Sequence, residues 1–300
     1  MNKILRSFHK AMDAVAWRLA PVIKDDKTAI ILAYLLRLQR FPNLKHPKTF
    51  NEKLQWLKLY QHNPLYTTLV DKVAVKQYVS SIIGEEYIIP TIGVWDNPDQ
   101  VDYDSLPDQF VLKCNHNSGG LYICKNKDAM DVEFVKKLLW NSLNDDYYLR
   151  CREWPYKDIK RKVFAEKYLA NDTGEDLIDY KFFCFNGEPK YCQVISNRSS
   201  DECIDFYDME WKRINGLCGL NIYAHNSNEG VKCPSSFSKM LDVARALSKD
   251  FVFIRIDLYE IKSKPYFGEM TFFPNGGYGR FTPPEWNTCF GEMIDLSKIS

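Results

Sequence analysis

Apolar side chains recur three and four residues apart over 131–143, at Phe134, Val135, Leu138, Leu139 and Leu143, and this spacing predicts a helix. The first 80 residues keep the same rhythm. Thr49-Phe50-Asn51-Glu52 has the form of a capping box, and Leu54, Trp56, Leu57 and Leu59 follow it in a helical run. Asn63-Pro64 opens another helix, carrying Val70, Val73, Ala74, Tyr78 and Val79. Nearer the start, Ile4, Leu5, Phe8, Met12, Val15, Ala16 and Leu19 make an apolar stripe, with Lys3, Arg6, Lys10 and Arg18 elsewhere on the helix. Such a stripe is expected to pack on its own domain. The alternative is a peripheral membrane contact through residues 1–20.

The period changes near residue 87. Tyr87-Ile88-Ile89-Pro90 and Phe110-Val111-Leu112 read as strands, and two hairpins follow. The first, YKFFCFNGEPKYCQVIS (180–196), turns at Asn186-Gly187, the dipeptide best suited to a type I′ turn. The second, FVFIRIDLYEIKSKPYFGEMTFF (251–273), is separated from it by a helix near 236–249. Helices combined with antiparallel hairpins predict an α+β architecture rather than a doubly wound one.

Composition narrows the function. The 300 residues are 45% hydrophobic and 14% aromatic, ample for a sizeable core. Net charge is +1 over 40 basic and 39 acidic residues, so no global field points to nucleic acid. Nine cysteines, at positions 114, 124, 151, 184, 192, 203, 218, 233 and 289, form no CxxC pair, and the five histidines form no HExxH. Buried free thiols are expected, not a disulfide framework or a zinc site. MNKILRSFHK lacks the apolar run of a secretory leader, and AIILAYLL (29–36) is too short to span a bilayer. A cytoplasmic protein is the expectation.

Three stretches carry candidate chemistry. In FVFIRIDLY, Arg255 and Asp257 share a strand face, and a turn centred on Ser263 would set Asp257 opposite Glu269. Opposed like charges cost up to about 1 kcal/mol unless a cation lies between them, and oxygen-only ligands suit Mg²⁺. A register slip of one residue would instead leave each carboxylate in solvent, and the hairpin alone leaves both readings open. Second, FVLKCNHNSGG ends a strand on Lys113 and loosens at Gly119 and Gly120, a shape able to fold over a phosphate but equally an ordinary loop. Third, VFAEKYL (163–169) could present a carboxylate and backbone amides to a nucleobase, or be a half-exposed strand edge.

Taken in order, NEKLQWLKLY (51–60), LVDKVAVKQYV (69–79), FVLKCNHNSGG (110–120), FAEKYL (164–169), DYKFFCFNGEPKY (179–191), RIDLY (255–259) and GEMTFFPNGG (268–277) resemble the TupA-like branch of the ATP-grasp superfamily of carboxylate–amine ligases, over about residues 45–290. The resemblance implies an N-terminal helical region (1–70) and an ATP-grasp domain (71–300), with a phosphate-flap subdomain at 71–162 and an adenine and metal subdomain at 163–300. It implies ATP and one or two Mg²⁺ ions as cofactors. Lys72 and Lys113 would meet the phosphates, and Asn117, Ser118, Gly119 and Gly120 would form a flap over them. Glu166 with Lys167, Tyr168 and Leu169 would meet the adenine, and Glu175 or Asp176 the ribose. Asp257 and Glu269 would hold the metal. Where many members have asparagine two residues after the second metal carboxylate, this chain has Thr271, for which Asn275 would substitute. Arg255, Arg280 and Lys181 are the candidate catalytic cations. The implied substrates are a glycan or sugar-acid acceptor and an amine or amino acid, joined through an acyl phosphate in surface polysaccharide synthesis at the inner membrane face. An ATP-dependent glycan phosphotransferase and a sugar-nucleotide glycosyltransferase are the alternatives.

Overall fold

The computed structural model describes residues 3–171, 176–221 and 224–299. Helices α1 (Lys3–Leu19), α2 (Asp26–Leu38), α3 (Phe50–Tyr60), α4 (Leu65–Val70) and α5 (Ala74–Ile83) come first. The capping box forms at Thr49, and the Glu52 carboxylate also accepts from Asn43 N and Lys48 N. The next residue, Phe50, is fully buried and rings itself with Phe183, Phe185, Phe253, Phe281 and Phe290, their centroids 4.9–6.5 Å away. The cap thus fixes where α3 enters the core.

The single helix predicted after Asn63-Pro64 is two. Asp71 turns the backbone extended (ψ 111°), and its carboxylate accepts from Val73 N at 2.8 Å and Ala74 N at 3.2 Å. One residue therefore ends α4 and holds the backbone amides that lead into α5. The strand predicted over 87–90 also moves. Residues Glu85–Tyr87 form a 3₁₀ turn and β1 is Thr91–Trp95, because Pro90 has no N–H with which to extend a ladder.

Strands β2 (Phe110–Cys114), β3 (Tyr122–Cys124) and β4 (Val163–Lys167) complete an antiparallel sheet in the order β1-β4-β2-β3. Helix α6 (Val132–Leu143), capped by Asp131, covers it, burying Val135, Leu139 and Leu143 against Phe110, Leu112, Val163 and Ala165. After α7 (Tyr147–Cys151) come β5 (Asp179–Phe185), β6 (Glu188–Ser196), β7 (Cys203–Tyr207), β8 (Cys218–Leu220), α8 (Phe237–Ser248), β9 (Phe253–Ile261), β10 (Lys264–Thr271), β11 (Arg280–Thr282) and α9 (Trp286–Glu292). The larger antiparallel sheet runs β10-β9-β5-β6-β7, and β8 pairs with β11. Asn186 and Gly187 both take positive φ, as the type I′ turn requires. The larger core joins this sheet to α8, α3, α4 and α5. The architecture is α+β with antiparallel sheets.

Helix α1 packs on α2 through only one edge of its predicted stripe. It buries Ala16 of the stripe together with His9, while Phe8, Val15 and Leu19 stay 44, 38 and 37% exposed. The reason is polar anchoring along that edge: Arg280 donates to His9 Nδ1 at 3.3 Å, and Arg37 lies 3.6 Å from Asp13. Among the described residues no helix is long and apolar enough to cross a membrane, and all nine cysteines are free, six of them buried.

Candidate functional site

The second hairpin turns at Lys262-Ser263, both with positive φ, so the turn is not centred on Ser263. Counted from that turn, Glu269 would fall opposite Ile256. A bulge between Phe267 and Glu269 adds one residue at Gly268 and restores Glu269 opposite Asp257. Glycine suits the bulge because a Cβ there would lie 2.9 Å from the Tyr259 ring and 3.1 Å from Asp257 O. The same shift turns Phe267 away from Glu269 and into the core.

Asp257 is buried and already held. Arg255 donates to it through Nε (2.6 Å) and Nη2 (2.7 Å), and Lys181 Nζ donates to Oδ2 from the adjoining strand. Burial alone would raise its pKa, but Arg255 and Lys181 hold it below the usual carboxylate value. Lys181 also pairs with Asp179 at 3.3 Å. Arg255 and Lys181, the candidate catalytic cations, line the cavity and are bonded to Asp257, Lys181 from the facing β5 position and Arg255 from two residues along β9. Arg255 Nη2 also donates to Thr271 Oγ1 at 3.1 Å.

Glu269 is different. It lines a cavity of about 970 Å³, and among the described residues no hydrogen bond reaches its carboxylate. Thr271, Asn275, Ser118, Arg255, Lys181 and Arg280 line the same cavity. Asn275 takes positive φ and donates Nδ2 to Leu220 O, leaving its carbonyl oxygen as a donor atom. A metal's fit follows from this donor set. No group of three or more His, Cys, Asp or Glu capable of holding a metal is found among the described residues. What is present is all oxygen: the Glu269 carboxylate, one remaining lone pair on Asp257, the Thr271 hydroxyl and the Asn275 carbonyl. That suits Mg²⁺ arriving with phosphates, which supply its other ligands and offset Arg255 and Lys181.

The basic groups sit on the smaller sheet. Glu166 on β4 is buried between Lys113, its salt-bridge partner on β2, and Lys76 at 3.0 Å. Burial would raise the Glu166 pKa, and these two lysines bring it below normal instead. Lys113 therefore faces Glu166 and does not line the cavity. Lys72 Nζ donates to Asn117 O. Burial lowers the Lys72 pKa, and the side chain feels Glu269 as well as Lys113 and Glu166, so it stands between the charges of both sheets.

The predicted flap shortens. Asn117 is buried and anchored, donating Nδ2 to Ser142 O (2.9 Å) and Oγ (2.8 Å) on α6. Only residues from Ser118 onward leave the surface of the sheet. Gly119 (φ 90°) has open space around it, whereas a Cβ on Gly120 (φ 58°) would meet Ser142 Oγ at 2.2 Å. Lys167 N donates to Pro90 O at 2.9 Å, so that amide is committed within the sheet, and half-buried Tyr168 and Leu169 follow it. Asp176 is exposed and accepts from Ser199 N and Oγ, at 2.8 and 2.5 Å. Glu175 lies outside the described residues. Arg280 donates to Arg37 O at 2.5 Å, tying the cavity wall to α1 and α2.

A family model, TupA-like ATPgrasp, matches residues 52–295. The chain belongs to the TupA-like ATP-grasp family. No curated protein matches it. Among solved structures it is similar to the D-alanine–D-alanine ligase of Bacillus anthracis complexed with ATP (17% identity, 68% of this chain and 54% of that one, TM-score 0.40). It is similar also to the Helicobacter pylori D-alanine–D-alanine ligase (12% identity, 84% and 68%, TM-score 0.42) and to the ATP-grasp ligase PsnB with Mg and ADP (10% identity, 97% and 74%, TM-score 0.41). The chain thus spans about half of the first ligase's length, and these low scores carry no argument about the site.

Sequence reasoning missed several site residues of this TupA-like chain. Lys76 was findable, one helical turn beyond Lys72. Asn51, Gln55 and Lys58 form a polar stripe on the buried face of α3, and they bond the carbonyls of Gly279, Gly276 and Gly277, fixing the loop that carries Asn275. Glu153, Arg37 and Tyr278 gave no local signal, since only the tertiary fold gathers them in one cavity.

Proposed function

We propose that the protein is an ATP-dependent carboxylate–amine ligase of surface polysaccharide synthesis, joining a uronic acid carboxyl to an amine. The observation that carries the reading is the register-paired Asp257 and Glu269, opening through Glu269 into the cavity, in a chain of the ATP-grasp family. Lys72, with Lys113 behind it, would face the triphosphate, and Ser118, Gly119 and Gly120 would close over it. The Glu166 region and Tyr168–Leu169 would meet the adenine, and Asp176 or Glu175 the ribose. Glu269, Asp257, Thr271 and Asn275 would hold the metal, which when bound draws charge from the phosphates.

The chemistry follows from charge. A carboxylate resists an amine because its leaving group would be oxide, whereas the acyl phosphate formed with the γ-phosphoryl group expels phosphate. The protein's work is positioning and charge neutralisation. Arg255 and Lys181 keep Asp257 ionised, and Lys72 contributes positive charge between the sheets. The glycan assignment rests on family analogy. The exposed Phe8, Val15 and Leu19 on α1, with Arg18 on the same helix, support contact with a membrane carrying lipid-linked glycan.

The test is to incubate the enzyme with Mg-ATP, uronic-acid oligosaccharides and a panel of amines. ADP release requiring both acceptor and amine is the expected result. A phosphorylated glycan formed without amine would make the protein a phosphotransferase, and tight binding of sugar nucleotides instead of ATP would make it a glycosyltransferase.

A further inference from the structure

Helix α1 precedes the family-matched segment, yet its Asp13, Trp17 and Arg18 line the same cavity as Glu269. Trp17 stays 46% exposed there. One face of its indole is covered, because the guanidinium of Arg150, on α7, stands 4.4 Å from the ring centroid. Arg150 is itself fixed at two points. Its Nε donates to Asp145 Oδ1 at 3.1 Å, and its Nη2 pairs with Asp145 Oδ2 at 2.6 Å. A guanidinium gripped in this bidentate way keeps its plane, so the indole has a firm backing and its exposed area is the opposite face and the edges. Among the described residues no hydrogen bond uses the indole N–H.

The helix sets the direction of that face. Trp17 is two residues from both Val15 and Leu19, and at 3.6 residues per turn it points about 160° away from each. The indole therefore belongs to the cavity side of α1, not to the apolar stripe of Phe8, Val15 and Leu19. Between it and the metal-facing edge comes Tyr147, which lines the cavity with its ring centroid 5.5 Å from the Arg150 guanidinium. Burial pushes the Tyr147 hydroxyl well up, and the side chain feels the charges of both Glu269 and Arg150, so it stands between them. The order along the wall is Glu269, Tyr147, Arg150, Trp17. Two side chains thus separate the indole from the reacting end.

The surroundings name the occupant. Asp13 and Arg18 frame the indole with polar groups, so the shelf is an apolar plate with a hydrogen-bonding rim. A pyranose has the matching form, with C–H bonds on its face and hydroxyls around its edge. Stacking buries the C–H face and leaves the hydroxyls to the rim and to the indole N–H. A lipid chain would find no continuous apolar wall there. The cavity, at about 970 Å³, stands at the top of the roughly 300–1,000 Å³ range of small-ligand pockets, so one sugar does not fill it.

We infer that Trp17, backed by Arg150, forms a second sugar subsite, in which the residue next to the reacting uronic acid stacks on the indole. The acceptor is then an oligosaccharide and not a single sugar. The inference rests on the ligase reading above for its glycan and gives α1 a binding role in selecting acceptor length.

The experiment is calorimetric titration of the full chain, loaded with a non-hydrolysable ATP analogue and Mg²⁺. The probes are glucuronic acid, galacturonic acid and the oligosaccharides of two to four residues built from each. At least one disaccharide should bind roughly ten-fold or more tightly than its monosaccharide, the size of effect one aromatic stack supplies. Trp17→Ala should remove that gain, and Trp17→Phe, which keeps an aromatic face, should retain part of it. Should Trp17→Ala fail to bind the analogue, Trp17→Leu, apolar but without a ring face, takes its place and should lose the gain equally. Equal affinity of every disaccharide and its monosaccharide, or a gain that survives loss of the ring, overturns the subsite. In those cases monosaccharide binding leaves the ligase reading standing. If wild type binds the analogue but no uronide, the glycan reading falls and the subsite with it.

Discussion

Each sheet buries a carboxylate between two cations. On the smaller sheet Glu166 lies between Lys76 and Lys113, and on the larger one Asp257 lies between Arg255 and Lys181. Glu153 is also buried, at 4% exposure, yet among the described residues no hydrogen bond reaches it. The first two cases have charge neutralised inside the fold, at ladder positions where register makes the partners neighbours. The third faces a cavity, with the charge of Lys58 acting on it but no hydrogen bond to it among the described residues. Compensated groups hold the two sheets in shape, and uncompensated ones mark where ligands go.

The largest test of that contrast is Asp257→Asn, which leaves Arg255 and Lys181 buried with no carboxylate between them. Breaking a buried pair from one side costs about 3–5 kcal/mol, so a denaturant midpoint should fall accordingly. A loss under about 0.5 kcal/mol, typical of surface positions, would erase the distinction. Glu166→Gln should cost somewhat less, about 2–3 kcal/mol, because Lys76 keeps its bonds to Ile89 O and Thr91 Oγ1. Glu153→Gln should go the other way. The folded pKa of Glu153, about 7, is above its unfolded 4.5, so its contribution is fully present below pH 4.5 and is lost as pH rises through 7. The variant should therefore match wild type near pH 4 and exceed it by about 3 kcal/mol near pH 8. Lys58 does not collapse in that variant, since Gln55 Oε1, Cys151 O and Gly276 O accept its three protons. Thermal melts across pH check this, and a flat difference would contradict it. The smallest effect is at Gly268, where Ala should cost about 1–3 kcal/mol by crowding Tyr259 and Asp257 O, with Mg²⁺-dependent nucleotide binding weakened alongside.

The sequence shows some of this contrast and hides the rest for definite reasons. Alternation in FVFIRIDLY and the pairing of Asp257 with Glu269 were legible because a strand's period is two. The bulge was not, since a single glycine carries it and any even count around Ser263 gives the same answer. Thr49 and Glu52 announced α3 through a local capping pattern, while the break at Asp71 was hidden inside an unbroken apolar rhythm. The stripe on α1 was legible, but its direction was decided by His9 and Asp13 meeting Arg280 and Arg37, which are far away in the chain. Lys113 was read as a phosphate ligand because its strand precedes a glycine loop; that Glu166 stands beside it follows from the β2–β4 pairing. Glu153, Arg37 and Tyr278 come from three separate segments with no common period.

The most direct test of the account is a Mn²⁺ titration followed by electron paramagnetic resonance, with and without ATP, on wild type and Glu269→Gln. The account predicts weak Mn²⁺ binding alone, because Arg255 and Lys181 already balance Asp257. It predicts much tighter binding once ATP is present, and a loss of ten-fold or more of that gain in the variant. Tight Mn²⁺ binding without nucleotide, or an ATP-dependent gain that survives in Glu269→Gln, would contradict it.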